Sequence, residues 1–334
     1  MELWQERLLF DPMPPLLASG NYAVKYFTNR DLLKKRVEPV SSLWLLPEMQ
    51  NILKKQQPDG SWKYHGMQRD CYPKHFYSLF ETWRVLRNLV DEYGFTKEHS
   101  SAEKAAEFIF SCQEADGDFR GFLGNQYATY YTGDVLALLI RAGYENDGRT
   151  IRGLEWLLAM RQDDGGWTIP ILTHNYGREK THQLTSRYAE PVEADRSKPF
   201  SHNWTDMALR AFAAHPKYRK SEEAKKAAGL LKAQFFLPDY YSSYHAASYW
   251  VRFLFWWPNL LTAMESLTLM GYTADDPDMM KGLKWFVGNQ EANGLWKTTY
   301  VKGKMEPLDD RSRERRLWVT LRVCRIFERH FGRS

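Results

Sequence analysis

The stretch Gln56–Trp62, QQPDGSW, decides the fold, because three similar phrases recur along the 334-residue chain. The other copies are QEADGDF from Gln113, RQDDGGW from Arg161 and NQEANGLW from Asn289. Each copy follows a run with apolar residues at helical spacing. A Gly preceded by Asp or Asn is typical of a helix end followed by a turn. We interpret the phrase as a helix stop whose last aromatic ring folds back over the end of the helix.

A second, more apolar helical pattern follows each phrase, as in the segment YYTGDVLALLIRAGY, so each copy indicates one helical hairpin. The gap between the third and fourth copies is about two repeat lengths. It therefore predicts a degenerate copy near Gln234. No alternation of period two indicates a strand. The pattern predicts an all-α chain of about five to six hairpins, forming one domain over residues 1–334.

The composition is rich in aromatic residues, with 13 Trp, 19 Tyr and 18 Phe. So many rings need either a large core or an aromatic-lined cavity. The formal net charge is only +5, with 46 basic and 41 acidic residues, which argues against nucleic acid as a partner.

The three cysteines, Cys71, Cys112 and Cys324, are odd in number and far apart, which favours a reducing compartment. The first residues show no signal-peptide pattern, and no apolar run is long enough to span a bilayer. We therefore expect a cytoplasmic protein. The stretch YWVRFLFWWPNLL at 249–261 predicts peripheral membrane contact, and its alternative interpretation is the start of an inner helix.

The pattern Gln-x-x-x-Gly-x-Trp resembles the QW motif of the squalene-hopene and oxidosqualene cyclases and of the related prenyltransferase β subunits. Gln56-Gly60-Trp62 and Gln290-Gly294-Trp296 match it fully. Phe119 replaces Trp in the second copy, and Arg161 replaces Gln in the third. The resemblance covers the chain from about residue 40 to its end. It implies an α/α toroid with rings of inner and outer helices around a central cavity.

The chain departs from this family in two respects. The hopene-type cyclases carry two such domains, whereas 334 residues hold one. Their catalytic acid lies in Asp-x-Asp-Asp-Thr, but the comparable segment here is FSHNWTDMALRAF, where Thr205 matches and Asp206 lies one residue further along. The chain is more similar to short, one-domain squalene-cyclase-like proteins.

The resemblance implies that connectors and inner-helix N-termini line the cavity. The candidate catalytic and substrate-binding residues lie in these segments. A carboxyl on an apolar segment can act as a general acid, because burial keeps it protonated. The alternative is an ionised Asp stabilised by the helix dipole. The catalytic candidates are Asp206, Asp134, His202 and Asp70. For Asp70, an N-cap of the helix from Pro73 is the alternative.

Aromatic rings in the same places would bind a greasy substrate and stabilise carbocations, although large rings also fill cores. The substrate-binding candidates are Tyr127, Tyr130, Tyr131, Trp204, Trp250, Arg252, Trp256 and Trp257. Cys71 and His75, four residues apart, are weak zinc candidates together with Asp70 and either His202 or His245. We otherwise expect no metal and no cofactor.

These observations leave three function classes open. The first is an isoprenoid-processing enzyme, a class II terpene cyclase that protonates its substrate with a non-standard acid, first of all Asp206. The second is a non-catalytic toroid module that binds a lipid or a protein. The third is an α/α-toroid polysaccharide lyase or glycosidase, which would not explain the four phrases. The sequence does not identify the substrate or the oligomeric state.

Overall fold

The computed structural model describes residues 4–241, 246–253, 256–307 and 309–332. The α-helices follow in chain order: α1 (Met13–Leu17), α2 (Tyr22–Phe27), α3 (Pro47–Leu53), α4 (Phe76–Tyr93), α5 (Ser100–Ser111), α6 (Thr129–Leu139), α7 (Gly148–Ala159), α8 (Arg178–Ser186), α9 (His202–Ala214), α10 (Glu222–Ala233), α11 (Leu260–Leu269), α12 (Pro277–Gly288) and α13 (Asp310–Phe331). One short extended segment, β1 (Phe122–Asn125), lies between α5 and α6. The all-α class, with the helical hairpins of an α/α toroid, is confirmed.

The chain divides into two compact units. One comprises residues 1–39 and 228–334, and the other comprises residues 40–227. The second unit contains the first three phrases and the first unit contains the fourth. The single domain over residues 1–334 stays a prediction.

Each of the four phrases ends a helix, as predicted. Their glycines, Gly60, Gly117, Gly165 and Gly294, all have a positive φ. At Gly60 φ is +89°, and a Cβ atom would lie 2.2 Å from the carbonyl oxygen of Lys104 on α5. Only glycine combines this backbone conformation with so close an approach. The phrase thus brings the end of one helix against the start of the next hairpin.

The aromatic residue of each phrase is buried and hydrogen-bonded in a repeated way. The indole N–H groups of Trp62, Trp167 and Trp296 donate to a carbonyl in the last turn of the preceding helix, at 3.0, 2.7 and 2.8 Å. The predicted lid over the helix end is therefore present in these three copies. In the second copy, Phe119 fills the position with 0% exposure and has no N–H to donate.

The backbone N–H of the same aromatic residue donates to a threonine of the second helix in all four hairpins. The acceptor hydroxyls are those of Thr82, Thr132, Thr205 and Thr320, at 3.0, 3.0, 2.8 and 3.1 Å. These threonines lock the phrase to the second helix of its own hairpin. They are a regular part of the repeat that the sequence interpretation missed.

The glutamine of the phrase links neighbouring hairpins. The Gln56 amide donates to the carbonyl oxygens of Gly60 and Ser101, and that of Gln113 donates to those of Gly117 and Arg149. Ser101 and Arg149 lie in the first turns of the next first helices, α5 and α7. Gln290 similarly binds the backbone of Phe10, ahead of α1.

The third copy replaces this link. Arg161, in the glutamine position, donates only to the carbonyl of Leu158 within its own helix end. Its neighbour Gln162 is buried and donates to the carbonyl oxygens of Asp195 and Lys198, at 2.9 Å each. The third phrase therefore holds the long connector between α7 and α9 instead of the next helix.

Helices α6 and α9 form the closest helix pair of residues 40–227. Every residue of α6 is buried, and most of α9 is buried as well. At Gly133 a Cβ atom would lie 2.5 Å from the Cα of Ala208, so the two backbones touch. Side chains on these two helices are therefore held in fixed positions.

Residues 249–253 and 256–259 of the apolar stretch lie outside α-helix, and α11 begins at Leu260. Trp250, Phe253 and Trp256 are at most 6% exposed, so these three rings are core residues and do not contribute to an exposed patch. Among the described residues, no helix is long and apolar enough to cross a membrane.

Replacing the phrase tryptophans tests the lid. Trp62→Ala and Trp296→Ala should each lower the free energy of unfolding by about 3–5 kcal/mol, because each removes a buried ring. Trp62→Phe, which imitates the second copy, should cost only about 1 kcal/mol for the lost hydrogen bond. Urea denaturation measures both. Equal losses for Ala and Phe would show that the ring itself contributes little.

The threonine lock makes a separate prediction. Thr320→Val keeps the shape of the side chain but leaves the buried N–H of Trp296 without its acceptor, which should cost about 1–3 kcal/mol. Thr320→Ser keeps the hydroxyl and is the matched control. If both variants unfold at the same urea concentration, the hydroxyl is not what stabilises the phrase.

Candidate functional site

Aromatic rings from the first half of α4 converge with rings from the N-terminal ends of α6 and α9. The Tyr130 and Trp204 rings are 4.7 Å apart, joining α6 to α9, and the Trp83 and Tyr131 rings are 5.8 Å apart, joining α4 to α6. Phe76 and Phe80 extend the set along α4 towards Phe122 on β1. We call these seven rings the aromatic cluster: Phe76, Phe80, Trp83, Phe122, Tyr130, Tyr131 and Trp204.

Deeper along the same helices, two carboxylates share one guanidinium. Arg210 on α9 binds Asp134 on α6 at 2.9 Å and Asp206, one turn before it, at 2.8 Å. The side chains are 10%, 4% and 1% exposed, respectively. Trp83 on α4 donates its indole N–H to Asp134 at 3.1 Å. The structure thus brings together the first two acid candidates and adds a cation that the sequence interpretation missed.

The two carboxylates favour the charged form of Arg210. Burial lowers the pKa of Arg210, but the charges of Asp206 and Asp134 outweigh burial, so that its pKa lies above the ordinary value. Burial lowers the pKa of Arg87 below its ordinary value, and the charge of Asp134 offsets only part of this effect. The Arg210 guanidinium is therefore charged where it binds the two carboxylates.

The position of Asp206 differs from the expectation in one detail. Helix α9 begins at His202, with Ser201 as its N-cap, so Asp206 lies in the second turn of α9. Its carboxylate is therefore one turn too deep to cap the helix. His202 is buried in the first turn, 5% exposed.

Asp70 and the zinc candidates lie on the connector before α4. Asp70 is exposed, and the N-cap of α4 is His75, so the interpretation of Asp70 as the N-cap was wrong. Burial, and to a lesser extent Asp70, raises the pKa of the Cys71 thiol, which disfavours the thiolate that zinc requires. Among the described residues, no three His, Cys, Asp or Glu side chains are grouped to hold a metal. His245 lies outside the described residues.

The other predicted substrate-binding residues have separate surroundings. The Tyr127 ring lies 5.8 Å from that of Trp156 and under the guanidinium of Arg120. In the other unit, the Trp250 indole donates to the carbonyl of Leu237, and Trp256 stacks on Trp257 at 4.7 Å. Arg252 pairs through its backbone with Thr299.

A polar connection leads from the second phrase to the connector before α9. Asp118 is fully buried, and burial raises its pKa against the influence of Arg120, which binds it at 2.9 Å. Arg120 also donates to Asn125, whose amide donates to the carbonyl of Ala189. Sequence reasoning missed Arg120, although Asp118 and Asn125 lie only two and five residues from it along the chain.

Residues 81–215 match the family model for the squalene-hopene cyclase C-terminal domain. The resemblance to the squalene-hopene cyclases is confirmed over this segment. It contains α6, α9, Trp83, Arg210 and both buried carboxylates. The match spans less than half of the chain, so it describes the core of the second unit.

Two solved structures are also similar to the chain. A protein from Actinoplanes is 14% identical, with 87% of each chain covered and a TM-score of 0.43. The type II terpene cyclase MstE from Scytonema, as a variant in complex with merosterolic acid A, is 13% identical, with 87% of this chain and 84% of the other covered and a TM-score of 0.43. Scores this low carry no argument about the fold or chemistry of the present chain.

The shared guanidinium predicts a large loss of stability when either partner is removed. Asp206→Asn should lower the free energy of unfolding by about 3–5 kcal/mol, since it leaves part of the Arg210 charge buried and unpaired. Glu107→Gln, which breaks an exposed pair with Arg149, is the control and should cost about 0–1 kcal/mol. Similar small losses in both variants, measured by urea denaturation, would contradict a structural role for Arg210 and its two carboxylates.

Proposed function

We propose that this chain is a squalene-hopene-cyclase-like protein that binds a hydrophobic isoprenoid at the aromatic cluster. The observation that carries the proposal is the convergence of rings from α4, α6 and α9. Ring faces bind branched hydrocarbon chains through area and dispersion, and they attract cations through their quadrupoles. A carbohydrate ligand would instead need many hydrogen-bonding groups beside the rings, so the lyase or glycosidase function is the least supported.

Cyclisation by protonation is the first candidate activity, with Asp206 and then Asp134 as the acid. The acid must carry a proton before the substrate arrives, which requires that burial outweigh any neighbouring cation. Here the Arg210 guanidinium holds each carboxylate at less than 3 Å. A cyclase built on this site would have to separate a carboxyl group from Arg210 during each cycle.

Binding without turnover is the second candidate, and the geometry supports it best. Arg210 and its two carboxylates join α6 to α9, and Asp134 accepts a hydrogen bond from Trp83 on α4, so these charged groups complete the core beneath the rings. A charged group in such a network is held by several partners at once. On this proposal Arg210, Asp134 and Asp206 support the aromatic cluster and take no part in chemistry.

Turnover and binding are separated by one pair of measurements. Equilibrium dialysis against tritiated farnesol should show binding, and incubation with squalene or oxidosqualene should yield no cyclic product by gas chromatography and mass spectrometry. Cyclic products from the wild type that are lost in Asp206→Asn, with farnesol binding retained, would instead establish the cyclase and its acid. Absence of farnesol binding would overturn the proposed ligand class.

The cytoplasmic location and the peripheral membrane contact stay predictions. The three cysteines are free thiols, and burial raises the pKa of the Cys112 thiol to about 11. Flotation of the protein with liposomes tests the membrane contact independently of the ligand.

A further inference from the structure

Phe122 is the member of the aromatic cluster that lies among the other rings. The ring of Phe122 lies 4.1 Å from that of Tyr131, 5.5 Å from those of Phe76 and Phe80, 6.2 Å from that of Tyr130 and 6.3 Å from that of Trp83. Five rings from α4 and α6 therefore surround a single ring that belongs to neither helix.

Phe122 reaches this position on a turn and not on a helix. The turn is closed by a hydrogen bond of 3.1 Å from the N–H of Gly121 to the carbonyl of Gly124. Phe122 is only half-buried, whereas Trp83, Tyr130 and Tyr131 are at most 4% exposed. The surrounding rings are fixed by their helices, but Phe122 depends on the short segment β1.

The connector before α9 holds this segment in place mainly by hydrogen bonds. Helix α8 lies against β1, and Leu184 is its one buried residue. Gln126 donates to the carbonyls of Ala189 and Glu190 and accepts from the N–H of Val192. Buried hydrogen bonds, more than buried apolar surface, therefore hold β1 against this connector.

We propose that the position of the Phe122 ring is the binding site for an isoprenyl chain, and that Phe122 occupies it in the ligand-free protein. This proposal rests on the isoprenoid-binding function proposed above and adds the place and the competing group. An isoprenyl unit is apolar and of a similar width to a benzyl group, so it can replace the ring against the same five neighbours. The ligand then competes with a side chain of the protein, and its apparent affinity is reduced by the fraction of molecules in which Phe122 is withdrawn.

Removal of the competing ring tests the proposal. Phe122→Ala should bind tritiated farnesol about tenfold more tightly than the wild type in equilibrium dialysis, because the site is always open. Leu123→Ala changes the neighbouring residue of the same turn, whose side chain is aliphatic, and it should bind like the wild type. Circular dichroism verifies that the variants are folded, and Phe122→Leu, a smaller change, serves if the alanine variant does not fold.

The remaining outcomes separate this proposal from the one on which it rests. Equal binding by wild type and Phe122→Ala would overturn the competition and leave the isoprenoid-binding function intact. Weaker binding by Phe122→Ala would make Phe122 part of the lining, and would also overturn the proposal. If neither the wild type nor any of the variants binds farnesol, the proposed function itself fails.

Discussion

The hydrogen bonds made by the ends of the first helices determine how the hairpins join. A helix ends with carbonyl groups that have no partner within the helix, and a buried end must satisfy them with other donors. Trp62, Trp167 and Trp296 supply an indole N–H to one such carbonyl while covering the helix end with an apolar ring. The same few residues thus provide the turn, the donor and the apolar cover, which explains why the chain uses nearly the same phrase four times.

This arrangement positions the second helices, which carry the candidate site. The backbone N–H of each phrase aromatic is bound to a threonine on the second helix, so the register between phrase and helix is fixed. In α6 and α9 that threonine is Thr132 or Thr205, close in sequence to Asp134 and Asp206. The position of each carboxylate therefore follows from the phrase that precedes it by one connector. Arg210 can then bind both, because Gly133 allows the two helices to touch.

The parts of the fold that could be predicted are those encoded locally. The four phrases lie at helix ends because Gly, Asp and Asn determine their own backbone, and Trp167 kept its role although Arg161 stands in the glutamine position. The candidate acids could be chosen for the same reason, since Asp134 and Asp206 interrupt apolar helical runs. Their shared partner was not predicted: Arg210 is one turn after Asp206, which was a usable signal, but its contact with Asp134 spans 76 positions along the chain.

The role of Phe122 was beyond sequence reasoning for a related reason. A phenylalanine between two glycines has no helical or alternating neighbours, and its pattern is typical of a loop. Its five ring contacts arise only when α4 and α6 lie side by side and the connector before α9 covers β1. The helices determine the positions of most of the rings and of Arg210, Asp134 and Asp206. The connector that carries Phe122 and the connector before α9 determine which groups pack against those rings. Differences in connector length and composition can therefore change the ligand while the phrases keep the fold, which is why the four phrases identify the architecture much more securely than the chemistry.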